Sequence, residues 1–381
     1  MAATTAAQAR RHRLELVDRV HRASLTSEPA AVFATASPRL RRLVPFAAAA
    51  WVTTDPATGL PTGPTRLEGL GPVSAAQCSE HWRREFTAAD VHLYRDLARA
   101  PVPAGGLRAT LGDPWRSRRF RTFIEPLGFD DELRVVLRAG GAPWGTATLY
   151  RRRGEPAFDA AEVGLVAELS APLGEALRVG ARAASGGGAT PVARTGPGLL
   201  LFDRSGTLLS ADAAARAWLE EIPPDRAVPT GFGLAVPVWL LVLVFRAAGV
   251  ATGDGDGTAR ARLRSRRGGW VVAHATCLRD ADGSLGQVAV VLDAASPAQM
   301  APIVVDAYDL TEREREVARH LALGAPTAEI ARHLHLSVHT VRDHVKAILR
   351  KAEVSSRGEL VAKLFAEHYE PAYRDDVERV G

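Results

Sequence analysis

From Leu310 to Phe365 the chain reads LTEREREVARHLALGAPTAEIARHLHLSVHTVRDHVKAILRKAEVSSRGELVAKLF, four consecutive helical patterns, each with its own start signal. A segment that restarts this often folds as short helices packed on a common core. Thr311 precedes the first pattern and has Glu314 three residues on, a capping box in which each side chain takes a backbone amide the helix leaves unpaired. The spacing predicts a helix from Glu312 to Leu323 with Val317 and Leu321 inward, ended by Gly324 in the left-handed region. Pro326 and Thr327 open a second helix through Leu334, with Ile330, Ala331 and Leu334 as its inner stripe. Leu336 to Ser337 is the expected turn, and Ser337 the N-cap of a third helix from Val338 to about Ala352. Ser355 or Ser356, followed by Glu359, starts a fourth, with Leu360, Val361 and Leu364 inward.

The third helix has two faces of different chemistry. Val341, Val345, Ile348 and Leu349 recur at the spacing of a buried stripe. His339, Arg342, Asp343, Lys346 and Arg350 occupy the opposite side, with Thr340, His344 and Lys351 along one edge. A narrow helix with a cationic, hydrogen-bonding outer face fits the major groove of duplex DNA, and its first turns reach base edges. An isolated charged face reads more simply as a solvated surface. The capped helices around this one favour DNA.

The segment resembles the LuxR/FixJ-type helix-turn-helix domain of bacterial transcriptional regulators. Leu310, Thr311, Arg313, Glu314, Glu316 and Val317 match the first part of that pattern, and Gly324, Glu329, Ile330 and Ala331 the second. Ser337, Thr340, Val341, His344, Lys351 and Arg357 match the rest, and the match covers about 60 of the 381 residues. The resemblance implies that the third helix enters the major groove. It also implies that the fourth helix, with Leu360, Val361 and Leu364, pairs two copies on symmetric half-sites. Within the third helix, Arg342 and Lys346 are the expected donors to base edges, since both cations suit guanine O6 and N7. Asp343 would accept from a cytosine amino group or repel wrong sequences. Thr340, His344 and Lys351 are expected on phosphates, and Thr327, Ser337, His339 and Arg350 complete the DNA-facing set.

Three positions depart from the pattern. Pro326 stands where a Ser usually caps the second helix, so either Thr327 caps one residue later or Pro326 serves in the first turn. Ala352 replaces a larger apolar residue. Glu353 stands where Gly usually ends the third helix.

Composition bounds the rest. A chain of 381 residues is long enough for two or three domains. The longest apolar run, Leu234 to Phe245, contains Pro237 and is too short to span a bilayer. The N-terminus has arginines but no apolar region after them, so no secretory signal is expected. Cys78 and Cys277 form neither a disulfide framework nor a zinc pattern, which points to a cytoplasmic protein. Despite a formal net charge of +5, residues 301–381 hold twelve Lys/Arg against fourteen Asp/Glu, so DNA affinity has to come from charge placement. The only lysines are Lys346, Lys351 and Lys363. Their absence upstream excludes a Walker A ATPase, and with no acidic cluster it also excludes a phosphoacceptor receiver domain.

Gly/Pro-rich linkers at 184–197 and 294–308 divide the chain. In residues 10–183, helical patterns (Arg13–Ala23, Glu28–Ala36), a strand (Phe46–Thr53) and helices (Ser74–Phe86, Ala88–Ala98) come first. Two strands (Leu133–Arg138, Trp144–Arg151) and a helix (Ala160–Val179) follow, an order that resembles a GAF domain. In GAF proteins the long flanking helices often pair two subunits. Residues 198–293 resemble a PAS domain. A strand and an Asp203–Gly206 turn lead to a second strand, a small-residue helix and an inner helix at Val238–Ala248. Strands at Ala259–Leu263, Trp270–Leu278 and Gly286–Leu292 close it, with a turn at Asp280–Gly283. The expected class is therefore multidomain α+β: a GAF-like α/β sensor, a PAS-like α/β domain, and an all-α four-helix helix-turn-helix at 309–368.

No catalytic constellation stands out. His81 and His92 have no third ligand nearby and read as surface or core histidines. Cys78 lacks the adjacent His of bilin-binding relatives, so no covalent chromophore, cofactor or metal is expected, with haem on a lone histidine as a minor alternative. The arginines of WRSRRFR (115–121) and the alternating Arg260, Arg262, Arg264 and Arg266 read as solvated surfaces, with anionic-ligand sites as the alternative. The sequence thus predicts a dimeric, DNA-binding transcription regulator, not an enzyme, with RNA polymerase and a small ligand as further partners. The alternatives are upstream regions that serve only as protein–protein scaffolds, or an enzyme carrying a DNA anchor.

Overall fold

The computed structural model describes residues 2–25, 28–71, 75–185, 196–223, 225, 227–253, 258–267, 269–295, 299, 308, 310–322, 324–352 and 354–360. Its first part is a five-stranded antiparallel sheet in the order β2-β1-β5-β4-β3. The strands are β1 (Ala48–Thr54), β2 (Pro61–Glu68), β3 (Ala104–Gly106), β4 (Phe129–Ala139) and β5 (Ala142–Arg152). Helices α1 (Ala2–Ser24), α2 (Pro29–Leu43) and α6 (Ala160–Ser185) cover one face. Alternation along the strands sorts the side chains. Trp51, Leu133, Val135, Leu137, Ala147 and Leu149 meet Leu16, Val20, Phe33, Leu40, Leu169 and Leu173 from those helices. The apolar stripe of α1 is thus buried within its own chain. Ser170 of α6 accepts from the Arg138 amide at 3.1 Å and donates to the Val136 carbonyl at 2.6 Å. At Gly174 the helix lies so close that a Cβ would meet the Arg138 backbone at 2.6 Å.

The opposite face carries the intervening strand residues, among them the polar yet buried Glu132, Arg134, Thr146 and Thr148. Helices α3 (Ala75–Thr87), α4 (Tyr94–Arg99) and α5 (Leu107–Leu111) lie in the segments around it. Arg119 pairs with Glu132 at 2.7 Å, and Arg134 pairs with Glu132 at 3.2 Å and with Glu85 at 2.9 Å. The Arg134 guanidinium also lies 4.3 Å from the Tyr94 ring centroid. Buried charges persist only when each has a partner, and these four pair with one another.

The second part repeats the strand order. Its strands are β6 (Gly198–Phe202), β7 (Leu208–Ala211), β10 (Ala259–Arg264), β11 (Trp270–Arg279) and β12 (Leu285–Ala294), arranged β10-β11-β12-β6-β7. Counted from its own first strand, this is the order of the first sheet, although no sequence repeat is evident. Asp203 Oδ1 accepts from the Ser205 and Thr207 amides, and Gly206 takes φ +89°, which forms the expected turn. Helix α7 (Ala213–Glu221) and a short hairpin, β8 (Ala227–Pro229) and β9 (Ala235–Pro237), lead into α8 (Val238–Thr252). Helix α8 is apolar on every side because it lies between two partners. The second sheet covers one side, and Trp82 and Phe86 of α3 join the same core from the first part.

Two expected features differ. Residues 88–93 are not helical: Asp90 takes the Val91 and Arg119 amides and the Ser117 hydroxyl, and His92 sits at φ +55°. Strand β2, with its prolines and Gly63, was not expected as a strand. It lies at the sheet edge, where a missing amide donor is tolerated. Among the described residues no helix is long and apolar enough to cross a membrane.

Candidate nucleic-acid interface

The C-terminal helices are α9 (Glu312–Ala322), α10 (Thr327–His333) and α11 (Val338–Lys351). The capping box forms as expected: the Thr311 amide donates to Glu314 Oε2 at 2.7 Å, and the Glu314 amide to Thr311 Oγ1 at 3.3 Å. Gly324 adopts φ +80°, and the Ala325 amide reaches the His320 carbonyl at 3.0 Å. Pro326 occupies the N-cap of α10 without a side-chain bond, its carbonyl accepting from Glu329 and Ile330. Neither expected role for this end holds, since Thr327 is simply the first helical residue.

The turn into α11 is built on a non-glycine left-handed residue. His335 has φ +54°, and the Leu336 amide closes on the Ala331 carbonyl at 2.9 Å. The turn therefore starts before Leu336. Ser337 then caps α11, accepting from the Thr340 amide at 3.0 Å. The core collects Val317, Leu321, Ile330, Ala331, Val341, Ile348, Ala352 and Leu360, with Leu334, Val345 and Leu349 half-buried at its margin. Ala352 ends α11 in the right-handed region. Glu353, Val361, Leu364 and the body of the fourth helix lie outside the described residues. Leu360 is buried in the domain's own core, 2% exposed.

With its inner stripe fixed, α11 presents His339, Arg342, Asp343, Lys346 and Arg350 to solvent. Thr340 and His344 are half-buried at the edge. His339 Nε2 lies 3.6 Å from Asp343 Oδ2, so the one exposed anion of this face has a neighbour on its own helix. Lys351 points elsewhere. Its ammonium bonds Glu314 Oε2 at 2.7 Å, joining the end of α11 to the start of α9. Burial acts to raise the Glu314 carboxyl, but Lys351 and the Thr311 amide outweigh it and hold it below its ordinary value. Val338 is a residue the sequence reading passed over. It stands 39% exposed on the first turn, outside the inner stripe, beside His339.

The upstream arginines are not all solvated. Arg119 is buried against Glu132, while Arg116, Arg118 and Arg121 are exposed. Arg262 is buried against Asp55, and Arg264 lies 5.0 Å from the Trp270 ring centroid. Solvation fails for Arg119 and Arg262 because each meets a buried carboxylate, Glu132 from the next strand and Asp55 from 207 residues away.

Residues 309–364 match the model of the bacterial regulatory proteins, luxR family. This segment is a LuxR-family helix-turn-helix domain. Comparison with curated proteins gave no match. Among solved structures, the Vibrio cholerae VqmA dimer in the absence of target DNA is 20% identical, covering 45% of this chain and 82% of that one, with a TM-score of 0.20. The phage VqmA–DPO complex is 16% identical, covering 45% and 81%, with a TM-score of 0.23. The sensor region of a sensor histidine kinase is 15% identical, covering 42% and 62%, with a TM-score of 0.17. At these TM-scores the likeness carries no argument about this chain.

Proposed function

We propose that the chain is a dimeric, sequence-specific transcription regulator of the cytoplasm. In this reading the LuxR-family domain lays α11 in the major groove and the upstream regions sense a small ligand. The observation that carries it is the exposed stripe of His339, Arg342, Lys346 and Arg350 on the third helix of that domain. Arg342 and Lys346 read base edges, Asp343 selects against wrong bases, and Val338 meets a thymine methyl. Thr327, Ser337, Thr340 and His344 set the register on phosphates. Lys351, held by Glu314, serves the domain first and DNA only from its flank. Val361 and Leu364 mark the fourth helix, through which two copies pair, whereas Leu360 belongs to the domain's own core and is no dimer contact. RNA polymerase is the downstream partner.

The GAF-like reading of 10–183 and the PAS-like reading of 198–293 are supported by two antiparallel sheets of one strand order. Each has helices in the connection between its second and third strands, α3 and α4 in the first and α7 and α8 in the second. Selection of bound sequences from a random duplex pool by the full chain tests the proposal. The expected result is a palindrome with half-sites about one helical turn apart. Failure to enrich any sequence would refute it.

A further inference from the structure

We propose that the cleft between the two sheets binds a small, planar, mainly apolar molecule carrying a hydrogen-bond acceptor on one edge. This deepens the sensor reading; it rests on that reading only for the consequence at DNA, not for binding itself.

Around the face of the first sheet the charged network and the aromatic side chains leave cavities of about 70 and 10 Å³, and a space of about 420 Å³ nearby is lined by the charged Glu85, Arg95, Asp96 and Arg99. The cleft measures about 560 Å³, within the range of pockets that hold drug-sized ligands. Its walls come from both parts of the chain. Trp144 and Leu177 line it from the first, and Ile222, Trp239, Leu263 and Trp270 from the second. Three indoles around one space suit a flat, polarisable ring system.

Two polar groups in these walls have no partner. Trp144 Nε1 and Ser265 Oγ are sealed from solvent without a hydrogen bond, and each residue is only 4% exposed. Folded chains leave few such groups unsatisfied, and two on residues that line one cavity, the indole N–H a donor only, favour an acceptor supplied from outside the chain. Charge limits the class further. Arg262 is taken by Asp55, and Glu28 and Asp225 offset Arg264 and Arg266 along the same walls. That balance suits a neutral or singly anionic molecule and gives a nucleotide phosphate no cationic surplus.

The cleft also reaches Gln299, which precedes the DNA-binding domain in sequence. Arg262, on its wall, donates to the Gln299 carbonyl at 2.7 Å as well as to Asp55. A ligand touching both walls would steady the arginine that ties Asp55 to Gln299.

The full chain titrated with 2-naphthoate, and separately with uncharged 2-naphthamide, tests the site by tryptophan fluorescence and thermal unfolding. At least one probe should bind saturably, one per chain, and raise the unfolding midpoint. Trp144→Phe keeps the ring but loses the donor and should weaken binding about fivefold, as should Ser265→Ala, the worth of one hydrogen bond. Variants whose unliganded midpoints match the parent report on binding alone. No saturable binding by either probe up to millimolar concentration, or equal affinity in parent and both variants, overturns the proposal. Neither result touches DNA selection, so the two readings fail separately.

Discussion

Asp55 grips Arg262 with both carboxylate oxygens, Oδ2 on Nε and Oδ1 on Nη2, each at 2.7 Å, with neither side chain more than 4% exposed. Oδ2 also accepts the Arg262 amide at 3.0 Å, and Oδ1 the Ala57 amide at 2.9 Å. The carboxylate therefore holds its own turn and the second sheet together.

Removing one member of this pair should destabilise more than removing both. Asp55→Ala leaves a buried guanidinium without its anion and should cost about 3–5 kcal/mol. The double variant Asp55→Leu, Arg262→Met strands no charge and should lose less. Urea unfolding of the three proteins measures this, and a double variant that loses as much as Asp55→Ala or more would overturn it.

His335 sits at φ +54°, where an L-residue is strained and glycine is not. His335→Gly should stabilise the LuxR-family domain by about 0.5–1 kcal/mol, the relieved strain being partly offset by the greater freedom of the unfolded chain. Slower hydrogen exchange at the amides of α10 and α11 in the full chain would register the gain. Faster exchange would mean that the imidazole itself supports the turn.

Arg342 and Lys351 should fail differently. Arg342→Ala removes an exposed cation from the outer face of α11, which should cost about 1–3 kcal/mol of DNA affinity and relax preference at one base pair. Lys351→Met removes the partner of Glu314, so it should lower the stability of the domain while leaving the sequence preference unchanged. Anisotropy titrations against the selected duplex and single-base variants, over a range of salt, separate the two. A salt slope reduced by about one in Lys351→Met would return that lysine to the phosphate contacts.

Much of the C-terminal domain was legible because its signals are local. Thr311 with Glu314, Gly324, and Ser337 before Val338 each fix a helix end within a few residues of chain. The inner stripe of α11 followed in the same way. What stayed hidden depends on partners far apart in sequence. Arg262 resembles its neighbours on β10 until Asp55 is brought to it from 207 residues away. Lys351 matches the pattern of a DNA contact, and only the packing of α9 on α11 turns it to Glu314. The cleft belongs to neither upstream region alone, so no motif in either announces it.

His81 should make stability depend on pH. Its ring packs against Phe123 in a tilted arrangement at 4.2 Å between centroids, and its Nδ1 is buried without a partner. Burial first, then Arg134 and Arg119, push its pKa well below the ordinary 6.5, so the folded chain keeps it neutral. The unfolded chain protonates this histidine below about pH 6.5 and the folded chain does not. Stability is thus complete above that pH and falls as the pH drops toward the folded value, by at most about 1.4 kcal/mol per pH unit. His92, also lowered by burial, adds to the same window. His81→Phe keeps an aromatic ring against Phe123 and removes the titrating group. Unfolding midpoints measured between pH 5 and pH 7 should fall less steeply with acid in this variant, and an unchanged slope would show that His81 takes up its proton in the folded chain.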